Sequence, residues 1–147
     1  FLVFYNGKQP IKLKQDIIKQ ENPIIIKPLY MYDHSGITIS TSEFSCQWDS
    51  GQIGFVYITT KRAEELGTTI NSDESYSQYK ERLDKYLESE IEEYDMYLRG
   101  DVYDMKVLEN GELIESYHNY YGTDMISNGM LEEIKQYIPD TQETTVF

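Results

Sequence analysis

The sequence predicts an α+β fold: an antiparallel sheet with β-hairpins, one long amphipathic acidic helix packed across it, and a short C-terminal helix. Three observations carry that reading. Asn6-Gly7 and Asn110-Gly111 each separate β-prone apolar segments, the pattern of a two-residue hairpin turn whose central residues both take positive φ. Residues 53–60 are rich in β-branched and aromatic side chains and read as a central strand. Residues 74–98 contain no Gly or Pro and repeat apolar side chains at helical spacing.

Taken in order, Leu2 to Tyr5, the Asn6-Gly7 turn and a segment around Ile11 and Leu13 read as a first hairpin. Pro10 would confine its second arm to a sheet edge. Residues 16–20 add a helical turn that Asn22-Pro23 ends. Residues 24–26 and 29–32 are β-prone and interrupted by Pro28. His34-Ser35-Gly36 is a turn, and residues 37–40 alternate as a short strand. After the strand at 53–60, residues 61–66 form a short helix stopped by Gly67. Ser72 or Asp73 is the expected N-cap of the long helix, which ends at Gly100. Residues 101–108 and 112–117 pair about Asn110-Gly111, and a helix at 129–137 stops at Pro139. The expected organisation is one domain over residues 1–140 and a flexible tail at 141–147.

Size and charge narrow the function. At 147 residues the chain is long enough to bury a core. No apolar run approaches the roughly 18 residues of a membrane span, so no membrane partner is expected. One Cys excludes an internal disulfide and favours a reducing, cytoplasmic setting. The chain starts at Phe1 rather than Met, so residues ahead of it are expected to be missing. The net charge of -13 is one-sided. Residues 1–72 hold seven basic and seven acidic side chains, whereas residues 73–147 hold six and nineteen. Such a field repels nucleic acid and attracts basic protein surfaces, so the expected partner is a protein with a basic nucleic-acid-binding surface.

On the long helix, a wheel puts Tyr76, Tyr79, Leu83, Tyr86, Leu87, Tyr94, Tyr97 and Leu98 on one side. Glu81, Asp84, Glu88, Glu92 and Asp95 fall opposite, with Lys85 and Arg99 among them. That face is either an ordinary solvated surface or a decoy for a basic groove. Carboxylates one turn apart stand about 5–6 Å from each other, close to phosphate spacing along a strand. Glu90 falls amid the apolar side, between Tyr86, Tyr94 and Tyr97. A carboxylate buried there needs a partner. It is either a structural acceptor for Tyr hydroxyls or turn amides, or a pKa-raised acid or base in a pocket with Asp49 and His118.

The stretch 44–60 holds the only Trp, Trp48, the only Cys, Cys46, and an Asp49-Ser50-Gly51 turn running into the central strand. It either locks the core or builds a site, and the residue types alone allow both. Trp48, Asp49, Ser50, Gln52, Glu90 and His118 are the candidate pocket residues. Cys46 with His34 or His118 could form a nucleophile pair, although a lone Cys is usually a small buried apolar residue. One Cys and two His are too few for a zinc site. No phosphate-binding Gly-rich loop, EF-hand loop or G-x-S-x-G elbow is present. No catalytic residue, metal or cofactor is assigned.

Four segments share an order with known sequences. The run 29–40, Leu-Tyr-Met-Tyr-Asp-His-Ser-Gly-Ile-Thr-Ile-Ser, precedes Trp48-Asp49-Ser50-Gly51-Gln52-Ile53-Gly54-Phe55. Later come Glu92-Glu93-Tyr94-Asp95-Met96-Tyr97-Leu98 and Gly100-Asp101-Val102-Tyr103. Over residues 29–122 this pattern resembles a family of small uncharacterised proteins from phages and mobile elements of Gram-positive bacteria. The chain departs from that pattern at Tyr117-His118, where the family has a Cys-Trp pair. The resemblance implies a setting in a bacterial host and carries no enzymatic activity over to this chain, so it implies no mechanism. Charge and resemblance together predict an inhibitor of a host nucleic-acid-targeting defence protein, of the anti-CRISPR or anti-restriction type. It would act as a nucleic-acid mimic through Glu81, Asp84, Glu88, Glu92 and Asp95. The alternative is a small enzyme or ligand-binding domain with its pocket at Trp48, Asp49 and Glu90.

Overall fold

The computed structural model describes residues 2–4 and 9–138. Antiparallel sheets, a long helix and a short C-terminal helix give the α+β fold. Contacts divide the chain into two compact units, Phe1–Arg99 and Gly100–Phe147.

The first unit contains β1 (Leu2–Phe4), α1 (Pro10–Glu21), β2 (Ile25–Asp33), β3 (Ile37–Ser40), β4 (Ser50–Ile58), α2 (Thr60–Glu65) and α3 (Tyr76–Arg99). Its strands form one antiparallel sheet in the order β1-β4-β2-β3. Alternate residues of β4 point to opposite faces, and both faces are covered. Phe55 and Tyr57 pack with Leu13 and Ile17 of α1. Val56 and Ile58 join Ile25, Leu29 and Ile39 against Tyr79, Leu83, Leu87 and Ile91 of α3. Burial on two sides explains why β4 reads as a continuous apolar run rather than an alternating one. Leu29 and Leu83 lie wholly inside, each contributing about 1.5–3 kcal/mol of burial free energy.

The expected first hairpin is corrected. Its Asn6-Gly7 turn lies outside the described residues, but Ile11 and Leu13 belong to α1, and β1 pairs with β4 through Val3↔Phe55. Pro10 occupies the first helical turn, where a missing N–H costs nothing. Leu13 and Ile17, one turn apart, then reach the sheet. Asn22, at φ 44, ends the helix. Pro28 does not interrupt β2: residues 25–29 pair with β4 alone, and β3 joins only from Tyr30 onward. The proline therefore faces a side with no ladder to break.

The N-cap of α3 is Ser75, not Ser72 or Asp73. Gln78 N donates to Ser75 Oγ at 3.3 Å while Ser75 N donates to Gln78 Oε1 at 2.9 Å, a reciprocal capping box. The buried row is Tyr79, Leu83, Leu87, Ile91 and Asp95, every fourth residue. Tyr76, Tyr94 and Tyr97 are exposed instead. Counting tyrosines as apolar turned the wheel toward their side, although their hydroxyls favour water.

The second unit is a two-stranded hairpin, β5 (Val102–Glu109) and β6 (Glu112–Tyr121), followed by α4 (Met130–Lys135). Asn110 and Gly111 both have positive φ, at 52° and 88°, as the expected turn requires. Tyr117 and Tyr137 share a hydroxyl–hydroxyl hydrogen bond of 2.6 Å. Among its described residues none is buried. The expected tail at 141–147 lies outside the described residues.

Candidate functional site

The expected ridge carboxylates on α3 fall into several electrostatic settings. Glu81 pairs with Lys85 at 2.9 Å. Lys27, reaching up from β2, holds Asp84 at 2.8 Å and Glu88 at 2.6 Å. Burial works against the Lys27 charge, but the two carboxylates outweigh it and raise its pKa. Glu92 is exposed on the same helix. Asp95 is not on the outer face and is corrected: it is buried, accepting from Ile39 N at 2.8 Å and pairing with Arg99 at 2.9 Å. It ties the C-terminal half of α3 to β3 and offers nothing to a partner.

Glu90 is corrected in the opposite sense. The carboxylate expected in the apolar side is exposed, since the buried row passes through Leu87 and Ile91. Its side chain bonds the Tyr86 hydroxyl, whose pKa is raised by burial and then by that bond. Glu90 stands at the lip of a groove of about 310 Å³ floored by Val56, Ile58, Leu87 and Ile91 and flanked by Leu2 and Arg62. Among the described residues α3 packs over β3, β4 and β2, and the groove lies between α3 and Leu2 of β1.

The expected pocket is not assembled around Glu90. The groove uses Val56 and Ile58 at the far end of β4, while Trp48, Asp49 and Ser50 lie at its beginning. Six extended residues separate Ser50 from Val56, roughly 20 Å. Gln52 is engaged within its own strand, donating to Gly54 O at 3.1 Å. His118 belongs to the second unit, where it meets Asp104 at 3.0 Å and Ser116 at 3.0 Å.

Around Trp48 the chain builds something else. Residues 41–49 form an irregular loop between β3 and β4, and it is braced along its length. Ser42 N donates to Ser40 Oγ at 3.0 Å, and Tyr30 Oη donates to Glu43 at 3.1 Å. Phe44 stacks on Tyr32 at 5.6 Å. Ser50 Oγ donates to the Cys46 carbonyl, and Asp33 N donates to Asp49 O at 2.8 Å. His34 Nδ1 lies 3.1 Å from Asp49 Oδ2, and Cys46 Sγ approaches the same oxygen at 4.0 Å. The carboxylate thus stands between thiol and imidazole. A nucleophile relay has the imidazole in the middle, so this order is a brace for the loop. Cys46 is half-buried rather than a core residue. At the tip, Trp48 is 96% exposed, so within residues 44–60 the core is locked by Phe55 to Ile58 of β4 and not by the Trp48 loop.

Tyr32, His34 and Phe44 as braces and Lys27 as a ridge partner escaped sequence reasoning. The Tyr30/Tyr32 alternation on β2 was the one available signal, since both rings share a strand face. Among the described residues, no group of three or more His, Cys, Asp or Glu is placed to hold a metal ion, and no helix is long and apolar enough to cross a membrane. No protein-family model, curated protein or solved structure matches this chain.

Proposed function

We propose that this protein is a non-enzymatic interaction protein that occupies a basic nucleic-acid-binding groove on a partner protein. In the setting implied by its resemblance to phage and mobile-element proteins, the partner is a host defence protein of the CRISPR or restriction type, met in the bacterial cytoplasm. The observation that carries the reading is the charge asymmetry: six basic against nineteen acidic residues after Ser72. Exposed carboxylates supply it on both units. Glu81, Glu88 and Glu92 stand on α3, and Glu109, Glu112 and Glu115 on the β5–β6 hairpin. Glu109 and Glu112 are direct cross-strand partners beside the turn. Like charges so placed weaken a hairpin, and a basic partner would relieve that repulsion.

The test is capture from host lysate at about 0.1 M and about 1 M salt, where the screening length falls from about 10 Å to about 3 Å. A basic nucleic-acid-binding protein should be retained at the lower salt and released at the higher. Capture of only neutral or acidic proteins, indifferent to salt, sinks the proposal. Lys27→Met locates the surface: it frees Asp84 and Glu88, so partner affinity should rise about threefold at low salt if α3 is the contact. The ligand-binding alternative retains only the groove beside Glu90, whose volume lies at the small end of ligand sites.

A further inference from the structure

We infer that Trp48 is the anchor of a second docking element, a braced aromatic tip that receives an Arg or Lys side chain from a protein partner. Three observations converge on it. The first is exposure. The sole Trp leaves nearly all its surface in water, at 96%, although an indole side chain offers roughly 150–250 Å² to bury. It gives the fold no packing.

The second is pre-organisation. Backbone, carboxylate and ring contacts hold the loop on both sides of the tip, through Glu43, Phe44, Cys46 and Asp49. A rigid aromatic anchor loses little conformational entropy on binding, and Trp is enriched among the residues that dominate interfaces.

The third is charge. No Lys or Arg occurs between Lys27 and Lys61, and the chain around the tip carries Asp33, Glu43 and Asp49, all exposed. An exposed Trp could meet a nucleic-acid base, an anionic membrane or a cation. Carboxylates beside it repel the first two. They attract the third, which the face of the indole also favours. A guanidinium or ammonium group is the chemistry that fits ring and carboxylates together. This inference shares with the proposed function only the basic character of the partner, and it assigns a different surface.

The single Trp makes the test direct. The intact chain is titrated with a dye-labelled nine-residue oligo-arginine peptide at low salt, following peptide anisotropy and Trp48 emission. Free Trp48 should emit as a fully hydrated indole and be readily quenched by acrylamide. Peptide should shift the emission to the blue and at least halve the quenching, saturably. Trp48→Ala should weaken peptide binding about tenfold, toward the upper end of a cation–π contact, with Trp48→Phe within about threefold of wild type. Glu81→Gln with Glu92→Gln should leave the emission shift intact. Peptide binding without any change in Trp48 emission, or undiminished binding by Trp48→Ala, overturns the anchor but leaves the acidic-surface reading standing. An emission shift on phosphatidylcholine vesicles without peptide overturns it in favour of a lipid interface. No peptide binding at low salt overturns both readings.

Discussion

Two residues carry more of the first unit than their size or polarity announces. A Cβ built on Gly54 would lie 2.0 Å from the Val3 carbonyl oxygen, a backbone atom that cannot swing aside. Gly54 is therefore the position that lets β1 lie against β4. Gly54→Ala should cost about 1–3 kcal/mol, the range for overpacked sites, read as a lower denaturant midpoint and faster hydrogen exchange in β1. Wild-type stability would mean that β1 docks elsewhere. Asp95 is the second. Its carboxylate satisfies the Ile39 amide from 56 residues away and holds Arg99 beside it. Asp95→Asn keeps an acceptor and should cost about 1 kcal/mol, whereas Asp95→Leu strands a buried N–H, which costs about 1–3 kcal/mol. Equal losses in chemical denaturation would show that the amide bond is not what Asp95 supplies.

At the scale of elements, the entry to α3 carries a pH-dependent clamp. Arg82 grips Glu74 through two bonds, Nε–Oε1 at 2.9 Å and an Nη–Oε2 bond at 2.8 Å, and also donates to Thr69 O at 2.9 Å. Chiefly through Arg82, with help from the Asn71 amide, the Glu74 carboxyl is held down to about 2. A carboxyl depressed in the folded state stabilises above its unfolded value and loses that contribution as pH falls through the folded one. Wild type should therefore lose stability relative to Glu74→Gln as pH drops from about 4.5 toward about 2, with a constant difference above that window. Parallel acid profiles would show that the clamp is not formed. The same elements show what a sequence can and cannot announce. Asn110-Gly111 and the unbroken run of α3 were legible because turn chemistry and helical spacing are local. Pro10 was misread because one residue serves a sheet edge or a first helical turn equally well, and the choice fell to Leu13 and Ile17 meeting Phe55 and Tyr57. The tyrosines of α3 misdirected the wheel, exchanging Glu90 and Asp95 between surface and interior. Lys27 could not be paired with Asp84 and Glu88 in advance, because 57 and 61 residues separate them along the chain.

For the whole molecule, charge is the property that divides structure from function. The first unit holds eleven basic and sixteen acidic residues, and the second holds two and ten in half the length. Among the described residues of the second unit none is buried, and an isolated two-stranded hairpin is marginal in water. Repulsion between Glu109 and Glu112 is costly in such a setting. If stability alone governed this turn, opposite charges would be the better choice. Glu112→Lys separates the two demands: it converts the like pair into an opposite one and should stabilise the hairpin by about 0.2–1 kcal/mol. The same change removes one negative charge from the proposed contact surface and adds one positive, so affinity for a basic partner should fall severalfold at low salt and little at high salt. Amide exchange in β5 and β6 reads the first effect, and peptide or partner titration reads the second. Opposite signs in the two measurements would identify the acidic hairpin tip as a surface kept for binding at the expense of its own stability. A gain in both would assign the tip no part in recognition and leave α3 and the Trp48 loop to carry it.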